Sequence, residues 1–298
     1  MRPINNSSLS AAQTAFNTLF NTAFAKVTPQ WDQIAMLVPS TTKVEAYAWL
    51  SKLPRFREWV GDRVLQNLGN FEFTIKNKSF ENTIAVERED IEDDLIGVYK
   101  PMFEMMGYSA AVHPDQLVFA LLAAADSTKC YDGQYFFDTD HPVQNADRST
   151  SNVSNFTAGS SPLWALLDTS KPVKPFVFQK RKDYDFIPMD NPQDERVFMN
   201  KQFRYGVDAR VNVGPGLWQL AFGSRATLDA AGYTAARQAM MGFKDDAGIP
   251  LGITPKTLVV GPSNEIAART IVTAPFLAGG ATNVLAGTAE VVVSPFLP

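Results

Sequence analysis

The first thirty residues carry apolar side chains at helical spacing on a nearly uncharged background. The recurring apolar positions are Leu9, Phe16, Leu19, Phe20, Phe24 and Val27. This spacing predicts an amphipathic helix, with Ser8 or Ser10 placed to cap its start and Pro29 beyond its end. Such a helix packs either on its own domain or on a neighbouring subunit, and the pattern alone does not choose between the two.

Around residues 71–86 the apolar period changes to two. Phe71, Phe73 and Ile75 alternate with polar residues, which predicts a strand with one apolar face. The polar residues 76–79 resemble a turn, and the apolar positions from 80 to 86 predict a second strand, so we expect a β-hairpin. Because a two-stranded hairpin is marginal in water by itself, its apolar face should lie on its own body or on another chain.

A helical pattern follows from about residue 93 to residue 125. Its apolar positions include Leu95, Val98, Met102, Phe103, Met106, Leu117, Val118, Leu121 and Leu122. Pro101 and Pro114 interrupt the pattern, so two or three helical pieces are expected. The acidic run before it alternates as in a calcium loop, but the glycine comes late, at Gly97, and Pro101 stands where the closing glutamate would be. We therefore interpret the acidic side chains as favourable charges at a helix N-terminus.

The rest of the chain mixes short strand-like runs with helical ones. Strands are predicted at 176–179, 196–199, 203–209, 217–222, 256–260 and 289–297, and helices at 233–243 and 262–272. Residues 143–162 are polar and of low complexity, which is typical of an exposed loop. Without a visible internal repeat, the layout is that of an α+β protein.

Composition narrows the function class. The chain has 298 residues, of which 45% are hydrophobic and 19% charged, as in a globular protein with a substantial core. No long apolar run predicts a membrane span, and the N-terminal residues lack a secretory signal pattern, so we expect a protein of a reducing cytoplasm or of a particle assembled there. A net charge of −4 argues against a dedicated nucleic-acid binder, although a wall of this charge can enclose nucleic acid without gripping it.

Residues 129–142, KCYDGQYFFDTDHP, resemble an active site. They contain the single cysteine, Cys130, together with three aspartates and His141, which are nucleophile, base and metal-ligand types. One cysteine and two histidines in the whole chain exclude an intrachain disulfide and a separate Cys/His zinc site. Asp-Gly at 132–133 is typical of a turn and His-Pro at 141–142 of a strand exit. We favour a structural role, with a cysteine or metal hydrolase centred on residues 130–141 as the alternative.

Other catalytic signatures are missing from the sequence, since it has no P-loop, dinucleotide-binding, zincin or nucleophile-elbow motif. A basic run at 171–182 ends in Lys180, Arg181 and Lys182, and acidic residues follow at once. A strip of this kind predicts a solvated face or a contact between subunits rather than a nucleic-acid site. If it joins subunits, strong salt should weaken their contacts.

Long segments of the chain carry a family resemblance. In order they are YAWLSKLPRFREWVGDRVLQNL, FTIKNKSFENTIAVEREDIEDDLIGVY, HPDQLVFALL, CYDGQYFFDTDHP, FQKRK, YGVDARVNVGPGLWQLAFGS and LVVGPSNE. By these segments, which run from about Tyr47 to the C-terminus, the chain resembles the major head subunits of Mu-like phages and prophages.

The resemblance implies an α+β capsid fold of the Hong Kong 97 type. The implied parts are an N-terminal arm at 1–54, an extended hairpin region (the E-loop) at 55–88, a peripheral domain with a spine helix at 89–142, a mainly axial domain at 143–288 that returns to the peripheral domain, and a C-terminal strand at 289–298. The orphan hairpin would then be the E-loop lying on a neighbour, and residues 129–142 the turn-rich exit from the spine.

The resemblance also implies a function, that of a shell protein that assembles into hexamers and pentamers around double-stranded DNA in a virion. Implied partners are copies of itself, scaffold and portal proteins and non-specifically held DNA, with decoration proteins left open; no cofactor, metal or catalytic residue is expected. An encapsulin-like nanocompartment is the near alternative. The predicted interface residues are Phe16, Phe20, Phe24, Phe71, Phe73, Ile75, Lys180, Arg181 and Lys182.

Overall fold

The computed structural model describes residues 6–47, 73–93, 95–145, 147, 149–193, 195–244 and 248–298, and within them the chain is mixed α+β as predicted. The helices are α1 (Asn6–Lys26), α2 (Trp31–Ile34), α3 (Arg88–Glu92), α4 (Lys100–Ala123), α5 (Glu195–Asn200), α6 (Ala230–Met241) and α7 (Glu265–Val272). The strands are β1 (Ala35–Pro39), β2 (Val44–Ala46), β3 (Thr74–Lys76), β4 (Lys78–Glu87), β5 (His141–Gln144), β6 (Thr150–Val153), β7 (Phe156–Thr157), β8 (Trp164–Leu167), β9 (Phe176–Met189), β10 (Gln202–Pro215), β11 (Ala221–Ser224), β12 (Thr257–Val260) and β13 (Glu290–Val293).

The predicted N-terminal helix is present as α1, and it packs along α4 of the same chain. Phe16 stacks on Phe103 of α4 with ring centroids 4.0 Å apart, and both side chains are fully buried. The helices lie close together at Gly107, where an added Cβ would lie 2.3 Å from the carbonyl oxygen of Phe20. Only glycine permits so close a contact. The sequence pattern is compatible with packing on either the same or a neighbouring subunit, and the structure places α1 on its own subunit.

The first sheet has the strand order β1-β9-β10-β4. Its central strands β9 and β10 each span fourteen residues and are antiparallel, while β1 runs parallel to β9 and β4 antiparallel to β10. Along β10 the side chains of Phe203, Tyr205 and Val207 point inward and are buried. They form an apolar core with α1, α3 and α4.

The pairing predicted for the hairpin around residues 71–86 is wrong. β3 pairs antiparallel with β2, and β4 pairs with β10 rather than with β3. Asn77, which lies between β3 and β4, donates its side-chain amide to Ser40 Oγ at 2.8 Å and to the Thr42 carbonyl at 2.9 Å. An alternating pattern identifies a strand with one buried face, but it carries no information about the partner strand. Phe71 lies outside the described residues.

The helical stretch after β4 consists of three pieces, as predicted: α3, a 3-10 turn at Leu95–Tyr99, and α4. Part of the acidic run lies in the first turn of α3, its expected place. The break falls before Pro101, which sits in the first turn of α4 where its missing N–H leaves no helical bond unmade. Pro114 lies inside α4 without ending it. An interior proline costs about 3 kcal/mol, and packing against α1 and the first sheet outweighs that cost.

The second sheet has the order β13-β12-β8-β11-β7 and is covered by α6 and α7. The predicted helices at 233–243 and 262–272 correspond to α6 and α7. Every residue of β8, β11 and β12 is buried. A strand buried on both faces shows no alternation of polar and apolar residues, which is why the period-two pattern did not reveal β8.

Two further predictions need correction. Residues 196–199, expected as a strand, lie in α5, because a short apolar run fits either structure. β9 continues well beyond residue 179 to Met189, carrying the charged residues of its second half on a partly exposed strand. No helix in the described part of the chain is long and apolar enough to cross a bilayer.

Candidate functional sites: the Cys130 cluster and the assembly surfaces

The structure brings Cys130, Asp132 and His141 together. The thiol of Cys130 donates to Asp132 Oδ1 over 2.9 Å, and His141 Nδ1 lies 2.7 Å from Asp132 Oδ2. The other ring nitrogen, Nε2, points at Asn155 Oδ1 at 3.1 Å. The two remaining aspartates of the stretch do not join the cluster: Asp138 accepts hydrogen bonds from nearby backbone N–H groups and Asp140 is half-buried.

The electrostatics of the cluster oppose nucleophilic chemistry. Burial, reinforced by the neighbouring carboxylate of Asp132, raises the pKa of the Cys130 thiol well above its usual range, which disfavours the thiolate that would attack a substrate. Burial would also raise the pKa of Asp132, but hydrogen bonds from His141 and Cys130 outweigh it and hold that pKa below its usual value. His141 engages Asp132 and Asn155, so it cannot take a proton from Cys130 in this arrangement.

Asn155 makes the cluster a structural clamp. Its side-chain amide donates to the carbonyl oxygens of Phe136, Trp218 and Ala221 at 2.8 to 3.3 Å. The ring of His141 stacks on Trp218 with centroids 4.0 Å apart. The segment that follows α4 is thereby tied to β11 and to the turn before it.

Asn155 is the residue that sequence reasoning missed. The polar, low-complexity stretch 143–162 predicts an exposed loop at this position, yet Asn155 is fully buried. Its only signal was a polar residue between two short strands, which does not distinguish a buried hydrogen-bonding side chain from a solvated one.

A metal ion is not required to explain the cluster. The donor atoms of Cys130, Asp132 and His141 lie within 4.8 Å of one another, a spacing that a shared ion could bridge. Each donor is nevertheless engaged with a protein partner, and in the described residues no buried side-chain nitrogen or oxygen lacks a hydrogen bond. The geometry therefore fits a hydrogen-bonded structural link between two segments better than a metal-binding site.

A second polar network fixes the end of the β2–β3 strand pair at which the chain enters β2 and leaves β3. Glu45 Oε1 accepts hydrogen bonds from the backbone N–H groups of Thr41 and Thr42 at 2.8 and 3.0 Å and from Ser40 Oγ at 2.9 Å. These bonds, those from the backbone first, lower the pKa of Glu45 to about 2. We call the antiparallel strands β2 and β3 the stem, and Ser40, Thr41, Thr42, Glu45, Tyr47, Asn77 and Gln179 the stem network.

The stem network is tied to the sheet beneath it. Tyr47 donates to Gln179 Oε1 over 2.7 Å, and Gln179 Nε2 donates to Asn77 Oδ1 at 2.8 Å and to the Ile75 carbonyl at 3.2 Å. Gln179 is fully buried in β9, so the stem is held in a fixed orientation. The residues between the two stem strands, 48–72, lie outside the described part of the chain.

Three of the predicted interface side chains lie in the core of their own subunit. Phe16, Phe20 and Ile75 are 0%, 1% and 3% exposed. The two phenylalanines are covered by α4 and the first sheet, and Ile75 packs so closely on Gly214 that a Cβ there would lie 2.4 Å from Ile75 Cδ1. One chain already covers these groups, so they are core residues of the single subunit, and their assignment to an interface stays a prediction.

Two other predicted anchors are half-buried. Phe24 lies at the rim of the first core, with its ring centroid 5.9 Å from that of Phe20, and Phe73 packs on the edge of the larger core. Their assignment to an interface stays a prediction, and Phe71 remains outside the described residues.

The predicted basic residues differ from one another in their surroundings. Lys182 donates to Asp208 and lies 4.0 Å from Asp185. These two aspartates face each other across β9 and β10, and the lysine offsets a like-charge pair that would otherwise destabilise the sheet. The role of Lys182 is therefore explained within the subunit.

Lys180 likewise pairs inside the chain, with its Nζ 2.6 Å from Asp183 Oδ2. Arg181 is exposed and makes no ion pair with any residue that the structure describes. Of the three, Arg181 is the side chain available to a neighbouring molecule.

An exposed apolar stripe runs from the 3-10 turn onto the first half of α4. Its members, spaced by three or four residues, are Val98, Met102, Met105 and Tyr108, with exposures of 69%, 49%, 62% and 50%. The opposite face of α4 is buried on α1 and the first sheet. The sequence pattern merged the two faces into one, because this stretch is apolar around most of its circumference. A contiguous exposed apolar surface of this kind is typical of a protein contact.

Comparison with known proteins identifies the family. A model of the family described as "Mu-like prophage major head subunit gpT" matches residues 9–297. The chain is 42% identical over 255 residues to the Mu-like prophage FluMu major head subunit of Haemophilus influenzae (83% of each chain), and 36% identical over 303 aligned positions to the major capsid protein of Escherichia phage Mu (99% of each).

Solved structures agree. The chain superposes on the subunit in the procapsid of bacteriophage JBD30 with a TM-score of 0.87 at 41% identity, covering 99% of this chain and 100% of that one. For the JBD30 capsid the TM-score is 0.79 at 31% identity, with 99% of each chain covered. The nanocompartment alternative is not favoured by these matches. The chain therefore belongs to the Mu-like prophage major head subunit gpT family, the major capsid proteins of Mu-like phages, and has the Hong Kong 97-type fold of phage capsid subunits.

Proposed function

We propose that this chain builds the head of a Mu-like phage by assembling into hexamers and pentamers that close an icosahedral shell around double-stranded DNA. The observation that carries the proposal is the similarity over nearly the whole chain to JBD30 subunits in both procapsid and capsid form. The mature product would be a virion component, assembled in the cytoplasm of the bacterial host.

The exposed stripe on α4 supports self-assembly. Its four side chains are uncharged and face solvent in the single subunit, so covering them with a neighbour gains about 25 cal/mol for each Å² of apolar surface buried. In a closed symmetric shell each subunit makes several such contacts, so that each can be modest while the whole is stable.

The two sheets support the proposed division into domains. The spine helix α4, with β9 and β10 of the first sheet, would form the peripheral domain proposed at 89–142, and α1 and β1 of the arm and β4 of the hairpin region would pack on it. The second sheet with α6 and α7 would form the axial domain proposed within 143–288. β9 and β10 would be the returns to the peripheral domain, and β13 the C-terminal strand of 289–298. The arm at 1–54 and the hairpin region at 55–88 keep their proposed assignments, and the pairing of β2 with β3 joins the end of the arm to the hairpin region.

The partner set follows from this role. With a net charge of −4, the shell would enclose DNA without binding its phosphates tightly, because tight binding of phosphates requires a basic surface. Scaffold and portal proteins are proposed as separate partners. A JBD30 capsid structure is described as decorated with minor capsid protein trimers, and we propose an equivalent partner for this shell.

The test is assembly of the full chain, followed by sedimentation and negative-stain imaging with scaffold supplied. Met105→Lys places a charge in the stripe and should abolish closed particles while leaving the subunit folded. Gln116→Lys adds the same charge at an exposed position on the same helix and should assemble normally. A wild-type chain that stays monomeric with scaffold present would refute the proposed function, and normal particles from Met105→Lys would remove the stripe from it.

A further inference from the structure

The edge of the first sheet that is formed by β4 is open. Within the described part of the chain, β4 pairs with β10 on one side and has no strand on the other. It spans ten residues, its pairing with β10 runs without a register shift, and residues 79–87 include neither lysine nor proline. Lysines, prolines and bulges are features by which sheet edges avoid pairing with a further strand. The edge at β4 is therefore able to accept an added strand.

The direction of the backbone groups on β4 follows from one hydrogen bond at its end. The N–H of Arg88 donates to the carbonyl of Lys201 over 2.9 Å, one position beyond the pair of Glu87 with Gln202. Because bonded and non-bonded pairs alternate in an antiparallel ladder, the even-numbered residues of β4 bond to β10 and the odd-numbered ones face the open edge. The N–H of Glu87 accordingly donates outside the sheet, to the hydroxyl of Tyr99 over 3.3 Å. The other odd-numbered residues, all exposed, are Ser79, Glu81, Thr83 and Ala85.

A cavity of about 120 Å³ lies beside this edge, between β4 and α4. It is lined by Phe80 and Asn82 of β4 and by Ser109 and His113 of α4, among others. The rings of Phe80 and His113 meet edge to face with centroids 4.3 Å apart, and His113 Nδ1 lies 2.6 Å from the hydroxyl of Tyr184, so the walls are held in place. Since a cavity of about 150 Å³ takes a benzene ring, this one has room for one aliphatic side chain. A strand added to β4 directs every second side chain to this face of the sheet.

The open edge carries negative charge. Glu81 and Glu87 are the charged residues among those that face it, and neither forms an ion pair within the described residues; they accept hydrogen bonds from Thr83 and Gln202. Asp208 lies directly opposite Glu81 on β10 and adds a further carboxylate. Cross-strand pairs of opposite charge stabilise a sheet, so cationic side chains on an added strand complement this edge.

We propose that β4 is the docking site for an extended segment of a second protein, which joins the first sheet as a fifth strand. The segment alternates apolar with cationic side chains and places one apolar side chain in the cavity beside His113. In this mode of recognition main-chain hydrogen bonds supply the affinity and pockets for alternate side chains supply the specificity. The inference goes beyond the proposed assembly, because it concerns a partner other than a copy of this chain.

A second copy of the chain complements this edge less well. Its own β4 would bring Glu81 and Glu87 to the edge instead of cations. Its Ile84 and Val86 are 7% and 0% exposed in their own core, so they are not free to enter the cavity. The other strands of the described chain are already paired in sheets. The segment that fits is therefore one without a sheet of its own, such as a terminal arm.

The test measures the binding of a synthetic heptapeptide of alternating lysine and valine to the unassembled, full-length subunit. Fluorescence anisotropy of the labelled peptide gives the affinity. A backbone N-methylated form keeps the side chains but loses every backbone donor, and it should not bind. Hydrogen exchange followed by NMR should show new protection of the N–H groups of Glu81, Thr83 and Ala85 in the complex. The N–H of Ile84, which bonds to β10, should be protected with and without peptide.

Two variants test the edge and the cavity separately. Thr83→Pro removes a donor at the open edge and leaves the bonds to β10 in place, and Ser109→Phe fills the cavity from an exposed position. Each should weaken peptide binding by about tenfold or more. Thr83→Val keeps the N–H, and Gln238→Phe adds the same ring at an exposed position on α6, so both should bind as wild type. Thermal unfolding verifies that each variant is folded; if Thr83→Pro does not fold, Ser109→Phe and the N-methylated peptide still decide the question.

Three results would overturn the inference. The first is that the heptapeptide does not bind or binds equally well when N-methylated, because no strand is then added. The second is a complex without new protection of the odd-numbered amides of β4. The third is protection of those amides in shells that contain no other protein, because a second copy would then cover the edge. None of these results bears on the proposed shell, which fails only if the wild-type chain stays monomeric with scaffold supplied.

Discussion

His141 and Trp218 lie face to face, with ring centroids 4.0 Å apart and planes 9° from parallel. The stack holds the imidazole at the junction between the segment that follows α4 and the turn before β11, where its two nitrogens engage Asp132 and Asn155. The same residue types that make a catalytic site make a structural clamp here. What decides between the two is the direction of the side chains, because the imidazole is aimed at Asn155 and the Cys130 thiol at Asp132.

Removing Asn155 should destabilise the subunit strongly. Asn155→Ala leaves three buried carbonyl oxygens without their shared donor, for which we expect a loss of about 2 to 4 kcal/mol in the free energy of unfolding. Denaturant unfolding of the unassembled subunit measures this loss in the free energy of unfolding. Asn152→Ala, an exposed amide in neighbouring β6, should change stability by less than about 0.5 kcal/mol. Equal effects of the two changes would contradict the clamp.

The Cys130 thiol should be inert in the folded subunit. Burial and the Asp132 carboxylate raise its pKa, so a thiol reagent at neutral pH should modify it only after unfolding. Cys130→Ala should lose a little stability, because a buried side chain is shortened, and should still assemble as well as wild type. Fast labelling of the native protein, or a loss of a hydrolytic activity in Cys130→Ala and His141→Ala, would instead revive the hydrolase alternative.

The stem network should give the protein an acid-dependent component of stability. The pKa of Glu45 is about 2 in the folded chain against 4.5 for the unperturbed group. Its contribution is therefore fully present above pH 4.5, and it is lost as the pH falls from 4.5 towards 2. Unfolding free energies of wild type and Glu45→Gln should differ at neutral pH and converge in acid. Glu104→Gln, which removes an exposed carboxylate on α4, is the matched control, and parallel curves for Glu45→Gln would disprove the assignment.

The contact between α1 and α4 should not tolerate a methyl group at Gly107. Gly107→Ala would place its Cβ 2.3 Å from the Phe20 carbonyl oxygen, so the helices must separate at a cost of about 1 to 3 kcal/mol. Thermal unfolding should show the loss. Gly97→Ala provides the control, since nothing lies within 4 Å of a Cβ at that position. An unchanged melting temperature for Gly107→Ala would show that α1 is not packed as described.

The charged strip on β9 should act between subunits through Arg181 alone. Arg181→Glu should leave the subunit's unfolding unchanged but weaken assembly and alter its dependence on salt, because the exposed guanidinium has no ion-pair partner among the described residues. Lys182→Gln should instead lower the stability of the subunit and leave assembly unchanged, because Asp185 and Asp208 would then face each other without the cation that offsets their repulsion. Identical salt profiles for wild type and Arg181→Glu would exclude the strip from subunit contacts.

The sequence by itself determined those features that depend on neighbours along the chain. The helical spacing of apolar residues located α1, α4, α6 and α7, since one buried face repeats every three or four residues. The acidic run and Pro101 marked helix starts for equally local reasons, and the long matching segments indicated the family. The turn chemistry of residues 129–142 favoured a structural role over a catalytic one.

Only the tertiary structure decided which elements meet. It paired β3 with β2 and β4 with β10, buried Phe16 and Ile75 inside one subunit, and made the polar Asn155 a core residue. It also separated the buried face of α4 from the exposed stripe. Strand pairing and burial depend on contacts between residues far apart in the chain. A local pattern of apolar and polar positions predicts that one face of an element is buried, but it does not identify the element that covers that face.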